Sequence, residues 1–479
     1  MEPLALCKSF FEALNSENVR YCHWKSNGHL LKALCGKTDL DILVHRDDKK
    51  DFEEILKAHP FKKIISPPEK QFEGMEDYLG FDEATGSFIH LHVHYQLILG
   101  QKYIKNHHLP LEDLFFGNLV KAHNLYIPCP EIELIMLVIR AHMKTDLLSL
   151  AKHALKDLIS TGYTAFPADI EDEFRALISK SDRAKVIKLL HESKLPLRES
   201  LVSEFIKRFS EKKLTFYQIF FTQVEILKSL RDFRRRKSLL VYLSYFSFYL
   251  SELPLSGKVK AHKKKTLEGE GKIISLVGAD GSGKSTLIKD LEKWLSWKLS
   301  VKRYYYGIPK NKVSKLNSFL VRGFNKLGLS FIASFIEKLF WIYVARKRYL
   351  IAIKSRKDVR RGQLVITDRF PLKDFHDMPE PMDGPRVHLS PSHSLAGKPL
   401  TALEARYYKK IDYPHLIFVI QVELEELRRR KSDLPIEVHR VKADAVNRLK
   451  ESAPVFPVNG NRPYDEVQLA VKRKIWELI

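Results

Sequence analysis

Cysteine is scarce in this chain. Its 479 residues hold four, all in the first third (Cys7, Cys22, Cys35 and Cys129), and no two are spaced C-x-x-C. Neither a disulfide framework nor a zinc ribbon is indicated by that spacing, and reduced thiols of this kind suit a cytoplasmic protein. Long apolar runs are missing too: nothing reaches the ~18 uninterrupted apolar residues of a membrane-spanning helix. The nearest approach, Leu239–Leu250, follows the basic cluster Arg234-Arg-Arg-Lys237. We read it as a helix buried between domains, with peripheral contact at a membrane surface as the alternative. The opening Met1-Glu-Pro-Leu-Ala-Leu-Cys-Lys8 carries an early acid and no long apolar core, so no signal peptide is expected. Acidic residues are in deficit, 58 against 81 Lys and Arg, which leaves a net charge of +23. Such an excess suits nucleotides, nucleic acid or acidic lipid, or is only a solvated surface; charge alone does not choose. The chain lacks a recognition-helix signature and any repeated aromatic–basic pattern, so no specific nucleic-acid partner is expected.

What is present is a phosphate-binding loop. Gly278-Ala-Asp280-Gly281-Ser282-Gly283-Lys284-Ser285-Thr286 satisfies G-x-x-x-x-G-K-[ST], follows the apolar run Ile273–Val277, and precedes a helix expected from Thr286 to about Leu299. The glycines let the backbone turn its N–H groups around a phosphate, and the helix N-terminus adds its positive end. Lys284 can then reach the β- and γ-phosphates while the Ser285 hydroxyl ligates Mg²⁺. A nucleoside triphosphate is the expected ligand.

Length suggests about three domains. The lysine- and glycine-rich stretch 256–271 has almost nothing to bury and reads as a linker. Before it, residues 1–130 mix helical and strand patterns, with strands expected at Leu40–Val44 and Phe88–Tyr95; residues 131–255 read as helical. After it, residues 272–479 alternate apolar runs (Ile273–Val277, Leu364–Thr367, Leu416–Ile420) with helices, including a long helical stretch at about 314–358 and a last helix after Pro463. That alternation predicts an α/β fold, a parallel sheet with helices on both faces.

Asp368-Arg369-Phe370 closes the strand Leu364–Thr367. An Asp at the carboxyl end of a parallel strand faces the ligand edge of the sheet, where it can hold Mg²⁺ or accept a proton. The neighbouring arginine fork can clamp a phosphate. With the P-loop, Gly362-Gln-Leu-Val-Ile-Thr-Asp-Arg369 and Pro414-His-Leu-Ile-Phe-Val-Ile420, this region resembles the thymidylate kinases over about residues 272–479. The resemblance implies ATP-dependent transfer to a nucleoside monophosphate, dTMP first. Asp280 would bond an acceptor sugar hydroxyl, Arg369 the acceptor phosphate, and Asp368 would organise the metal and attacking oxygen. Arg348 would lie near the acceptor nucleotide. Arg428, Arg429 or Arg430, in the basic run where that family has its lid, would close on the transferring phosphoryl. After Arg369 the sequence departs: four prolines and a glycine in Pro371–Arg386 preclude the family's base-pocket helix. A phosphorylated sugar therefore stands beside a nucleotide as acceptor. An ATP-gated switch with no acceptor is the reading from another class.

In the first domain, Gly36-Lys-Thr-Asp39-Leu-Asp41 places two carboxylates at i, i+2 where a turn enters a strand, able to share a metal or merely to cap the turn. Over roughly 18–145 this resembles the nucleotidyltransferase fold, in a bacterial branch with His23-Trp-Lys-Ser-Asn27 upstream. In that resemblance His92 occupies the position of the third carboxylate. His90, His92 and His94 alternate along one face of their strand, suiting either a metal or phosphate site or hydrogen bonds along a half-buried strand. Activity in this domain stays open.

Overall fold

A computed structural model gives the fold. It describes residues 2–101, 104–144, 166–237, 264–373, 383–389, 397–431, 436–449 and 454–479, with a few isolated positions besides. The segment Leu239–Leu250, the first half of the 256–271 stretch and most of the proline-rich loop after Lys373 lie outside those residues. The chain divides into two compact units, Met1–Lys263 and Lys264–Ile479.

The first unit has a mixed sheet. Strands β1 (Tyr21–His23), β2 (Leu40–Val44), β3 (Phe61–Ile65), β4 (Met75–Asp82) and β5 (Ser87–His94) run in the spatial order β1-β2-β5-β4-β3. Only β2 and β5 pair in parallel, with Asp41 opposite His92 and Leu43 opposite His94. The other neighbours are antiparallel. Along β2 every residue but Asp41 is fully buried, and Asp41 is its one polar position. Helices α1 (Ala5–Ser16) and α2 (Lys49–Ala58) close one face through Phe10, Phe11 and Phe52. Beyond two small hairpins, helix α3 (Pro130–Lys144) is buried on nearly all sides, as its unbroken apolar run Leu134–Ile139 requires. Pro130 starts it, a position where the missing N–H costs nothing. Helices α4 (Ala168–Lys180), α5 (Arg183–Glu192), α6 (Glu199–Ser210) and α7 (Phe216–Ser229) follow, and residues of all four share a hydrophobic core with α3.

The second unit is an α/β layer structure. Strands β6 (Ile273–Gly278), β7 (Val301–Tyr305), β8 (Leu364–Asp368), β9 (Leu416–Gln421) and β10 (Val455–Asn459) form an all-parallel sheet in the order β7-β8-β6-β9-β10. The three central strands are buried on both faces, hence their apolar runs. The connecting helices are α8 (Lys284–Leu295), α9 (Lys312–Lys326), α10 (Ser330–Val359), α11 (Gly397–Lys409), α12 (Leu424–Arg430), α13 (Ile436–Asn447) and α14 (Tyr464–Leu478). Helix α8 begins two residues earlier and ends four earlier than the sequence suggested. The expected stretch 314–358 is two helices, broken where Gly328 turns left-handed at φ 74°. No helix among the described residues is long and apolar enough to cross a membrane.

Candidate functional site

The loop from β6 into α8 needs backbone that only glycine adopts freely: Gly281 and Gly283 sit at φ 88° and 87°. A Cβ at Gly281 would also come within 3.2 Å of the Leu427 carbonyl and 3.3 Å of Lys431 Cβ. The end of α12 therefore lies directly over the loop, which brings the basic run Arg428–Lys431 to its rim. Lys284, 9% exposed, folds back so that its ammonium donates to the Ala279 carbonyl at 2.6 Å. Burial pulls its pKa down to about 8, against the upward pull of Asp280. Ser285 and Thr286 are exposed in the first turn of α8, while Ser282 is buried.

Around this loop the parallel sheet gathers charges from distant parts of the sequence. Asp280 accepts from Lys442 of α13 at 2.6 Å and from Arg369 at 3.1 Å. Burial would raise its pKa; the Lys442 hydrogen bond and charge, then Arg369 and Lys284, overcome that and hold it at about 2. Asp368, buried at the carboxyl end of β8, has the Arg303 guanidinium 3.6 Å away. Arg369 itself is left-handed, φ 59°, a strained backbone of the sort found at functional positions. Its other neighbour is Asp383, at 3.8 Å, whose pKa burial raises despite Arg348, Arg369 and Arg386. Together Asp280, Lys284, Asp368 and Arg369 form one electrostatic group at the ligand edge of the sheet.

Arg369 and Asp383 also line a cleft of about 1000 Å³ that runs along α9. Tyr305, Ile308 and Phe319 supply its apolar surface, and Lys315, Arg322 and Arg386 its positive charge. Arg348 does not line it. That guanidinium is 2% exposed, and bonds the Tyr306 carbonyl and the Tyr408 hydroxyl, each at 2.6 Å. It also binds the Asp383 backbone carbonyl and, at 3.3 Å, the Asp383 carboxylate. It reaches the cleft only through Asp383. Of the three arginines of α12, Arg429 and Arg430 both bond Glu426, Arg430 also donates to the Gly460 carbonyl, and Arg428 is exposed.

Arg303, Asp383 and Lys442 were not singled out by sequence reasoning. Lys442 lies in a helix with no motif around it, and Arg303 sits on a half-exposed edge strand with no apolar run to mark it. Asp383 lies in the loop Pro371–Arg386, where the prolines carry the local signal.

The first unit carries a second cluster. The Asp41 carboxylate lies 2.6 Å from the Lys25 ammonium, 3.2 Å from His92 Nδ1 and 3.7 Å from His94 Nε2. Asp39, just before β2, turns to His90 instead, at 2.9 Å, and the far side of that ring bonds Asp77 at 3.1 Å. The two aspartates thus serve different histidines. Burial lowers the pKa of His92 and drives that of His94 well down, which favours the neutral imidazoles. Asp41 stays ionised: burial works against it, and Lys25 and the two imidazoles outweigh burial.

No family model matches this chain. It is 25% identical, over 211 residues, to a protein of Escherichia coli strain K12 named as an uncharacterized ATP-binding protein. That alignment covers 41% of this chain and 83% of the relative, and the same protein of strain O6:H1 matches equally.

Proposed function

We propose that the second unit transfers the γ-phosphoryl group of ATP to a small phosphorylated acceptor, a nucleoside monophosphate with dTMP the first to test. The observation that carries this reading is Arg369, which joins the P-loop residue Asp280 on one side to Asp383 and the cleft on the other. A cation in that position serves donor and acceptor phosphates at once, and phosphoryl transfer asks chiefly for positioning and positive charge. ATP as donor is supported by the relative's name. An anionic acceptor suits the basic walls of the cleft.

In this mechanism the P-loop amides and Lys284 hold the ATP phosphates, and Arg369 exchanges Asp280 for the acceptor phosphate. Asp368 orients the attacking phosphate oxygen, which as part of a dianion has no proton to give up. Ser285 and Asp368 offer oxygen donors only, the set Mg²⁺ takes, and the ion would neutralise the triphosphate. Arg428, exposed at the rim of the loop, is the arginine of its run best able to swing toward the phosphoryl group.

With full-length protein, ATP and Mg²⁺, ADP release should rise above background when one of a panel of nucleoside monophosphates and sugar phosphates is added. Arg369→Ala should then raise the acceptor KM about tenfold to a hundredfold, the value of a charge-assisted hydrogen bond. ADP release that no acceptor stimulates would instead favour the ATP-gated switch.

A second expectation concerns pH. Lys284 must be charged to bind phosphate and, with a pKa of about 8 in the free protein, loses its proton above that value. ATP affinity should fall roughly fivefold between about pH 8 and about pH 9, and Lys284→Ala should flatten the profile in titration calorimetry. For the first unit, the carboxylate turn entering β2 supports a nucleotidyltransferase-like domain whose metal ligands have changed.

A further inference from the structure

The β2–β5 pairing creates a donor set that the P-loop reading does not use. Asp41 and His92 are direct neighbours across a parallel pair, and His94 follows two residues on, on the same face of β5. One carboxylate oxygen, Asp41 Oδ1, lies 3.2 Å from His92 Nδ1 and 3.7 Å from His94 Nε2. All three ligand atoms fall within 4.8 Å of one another. Four donors placed tetrahedrally at zinc bond lengths of ~2.0–2.1 Å stand about 3.3 Å apart, between the 3.2 and 3.7 Å that separate Asp41 Oδ1 from the two rings.

His94 supplies an independent sign. Its ring is fully buried and neither nitrogen makes a hydrogen bond, whereas buried imidazoles are normally satisfied. A metal ion at this point would give Nε2 a partner. Lys25, 2.6 Å from the same oxygen, already shows that this oxygen draws a cation. Its ammonium also lies 4.6 Å from the Trp24 ring centroid, a second resting place when an ion takes the carboxylate.

We propose that Asp41, His92 and His94 bind one divalent transition metal of the Zn²⁺ class, with Asp39 outside the coordination sphere. Two imidazoles and a single carboxylate favour borderline ions, whereas Mg²⁺ demands oxygen ligands in octahedral array. Three protein ligands leave a fourth position for a water or an anionic ligand. His90, held between Asp39 and Asp77, keeps Asp39 occupied and so fixes which aspartate binds.

The test is Zn²⁺ binding to chelator-stripped full-length protein, followed by competition with a chromophoric chelator, with Co²⁺ absorption and X-ray absorption of the Zn²⁺-loaded protein. One ion per chain should bind, with two imidazoles in its shell, and millimolar Mg²⁺ should not displace it. Asp41→Asn and His92→Ala should each weaken binding at least about tenfold, while Asp39→Asn should leave it unchanged. His92 is partly exposed and Asp41 keeps a near-isosteric replacement, so these variants carry the test if His94→Ala fails to fold. Wild-type affinity in both Asp41→Asn and His92→Ala, an all-oxygen shell, or displacement by Mg²⁺ would each overturn the site.

Discussion

Lys284→Ala should lower ATP-dependent phosphoryl transfer at least about 10²-fold, the loss that follows removal of one preorganised donor from a transition state. The loop around it should survive. Lys284 makes one bond to the protein, to the Ala279 carbonyl, and the turn is held by its glycines and by α12 packed above Gly281. Circular dichroism and thermal melting should therefore match wild type while ADP formation stops. Undiminished turnover in the variant would sink the assignment of the second unit as a kinase, since Lys284 is the cation of the phosphate-binding loop itself.

Arg348→Ala should have the largest effect on stability. The side chain is 2% exposed and serves three carbonyls, a phenol and a carboxylate from three separate segments. Removing one partner of such a buried network leaves the others unpaired and costs about 3–5 kcal/mol. Denaturant unfolding should show a lower midpoint, and Arg348→Lys should restore little, because one ammonium cannot replace a planar fork. A weaker effect on acceptor KM should follow through Asp383. An unchanged midpoint with a raised acceptor KM would mean the opposite, that Arg348 meets the acceptor itself, as the resemblance to thymidylate kinases implies.

The two arginines show what the sequence made legible. Arg369 follows a buried strand at a point fixed by parallel-sheet geometry, so its place at the ligand edge could be read from an apolar run and a triplet. Arg348 sits in a thirty-residue helix whose contacts depend on how a proline-rich loop returns, and no local pattern encodes that. The same contrast divides the strands. Strands β6, β8 and β9 are buried on both faces and appear as unbroken apolar runs. Edge strands β7 and β10 are mostly part-exposed or exposed and carry Lys, Arg, Tyr or Pro, so no apolar run marks them, or Arg303 with them. In the first unit, alternation revealed the three histidines. The parting of Asp39 from Asp41 was hidden, because Asp39 precedes the strand and its carboxylate is steered by His90 and not by period-two geometry.

The pairing of Asp280 with both Lys442 and Arg369 bears on selectivity. An incoming ligand does not meet bare positive charge here; it must outbid an internal carboxylate for the guanidinium. A singly charged carboxylate or sulfonate gains nothing by the exchange, since it only replaces one monoanion with another and gives up its own hydration. A phosphate dianion gains the difference. Under the proposed function, this pairing would make the site select phosphorylated acceptors by valence before shape.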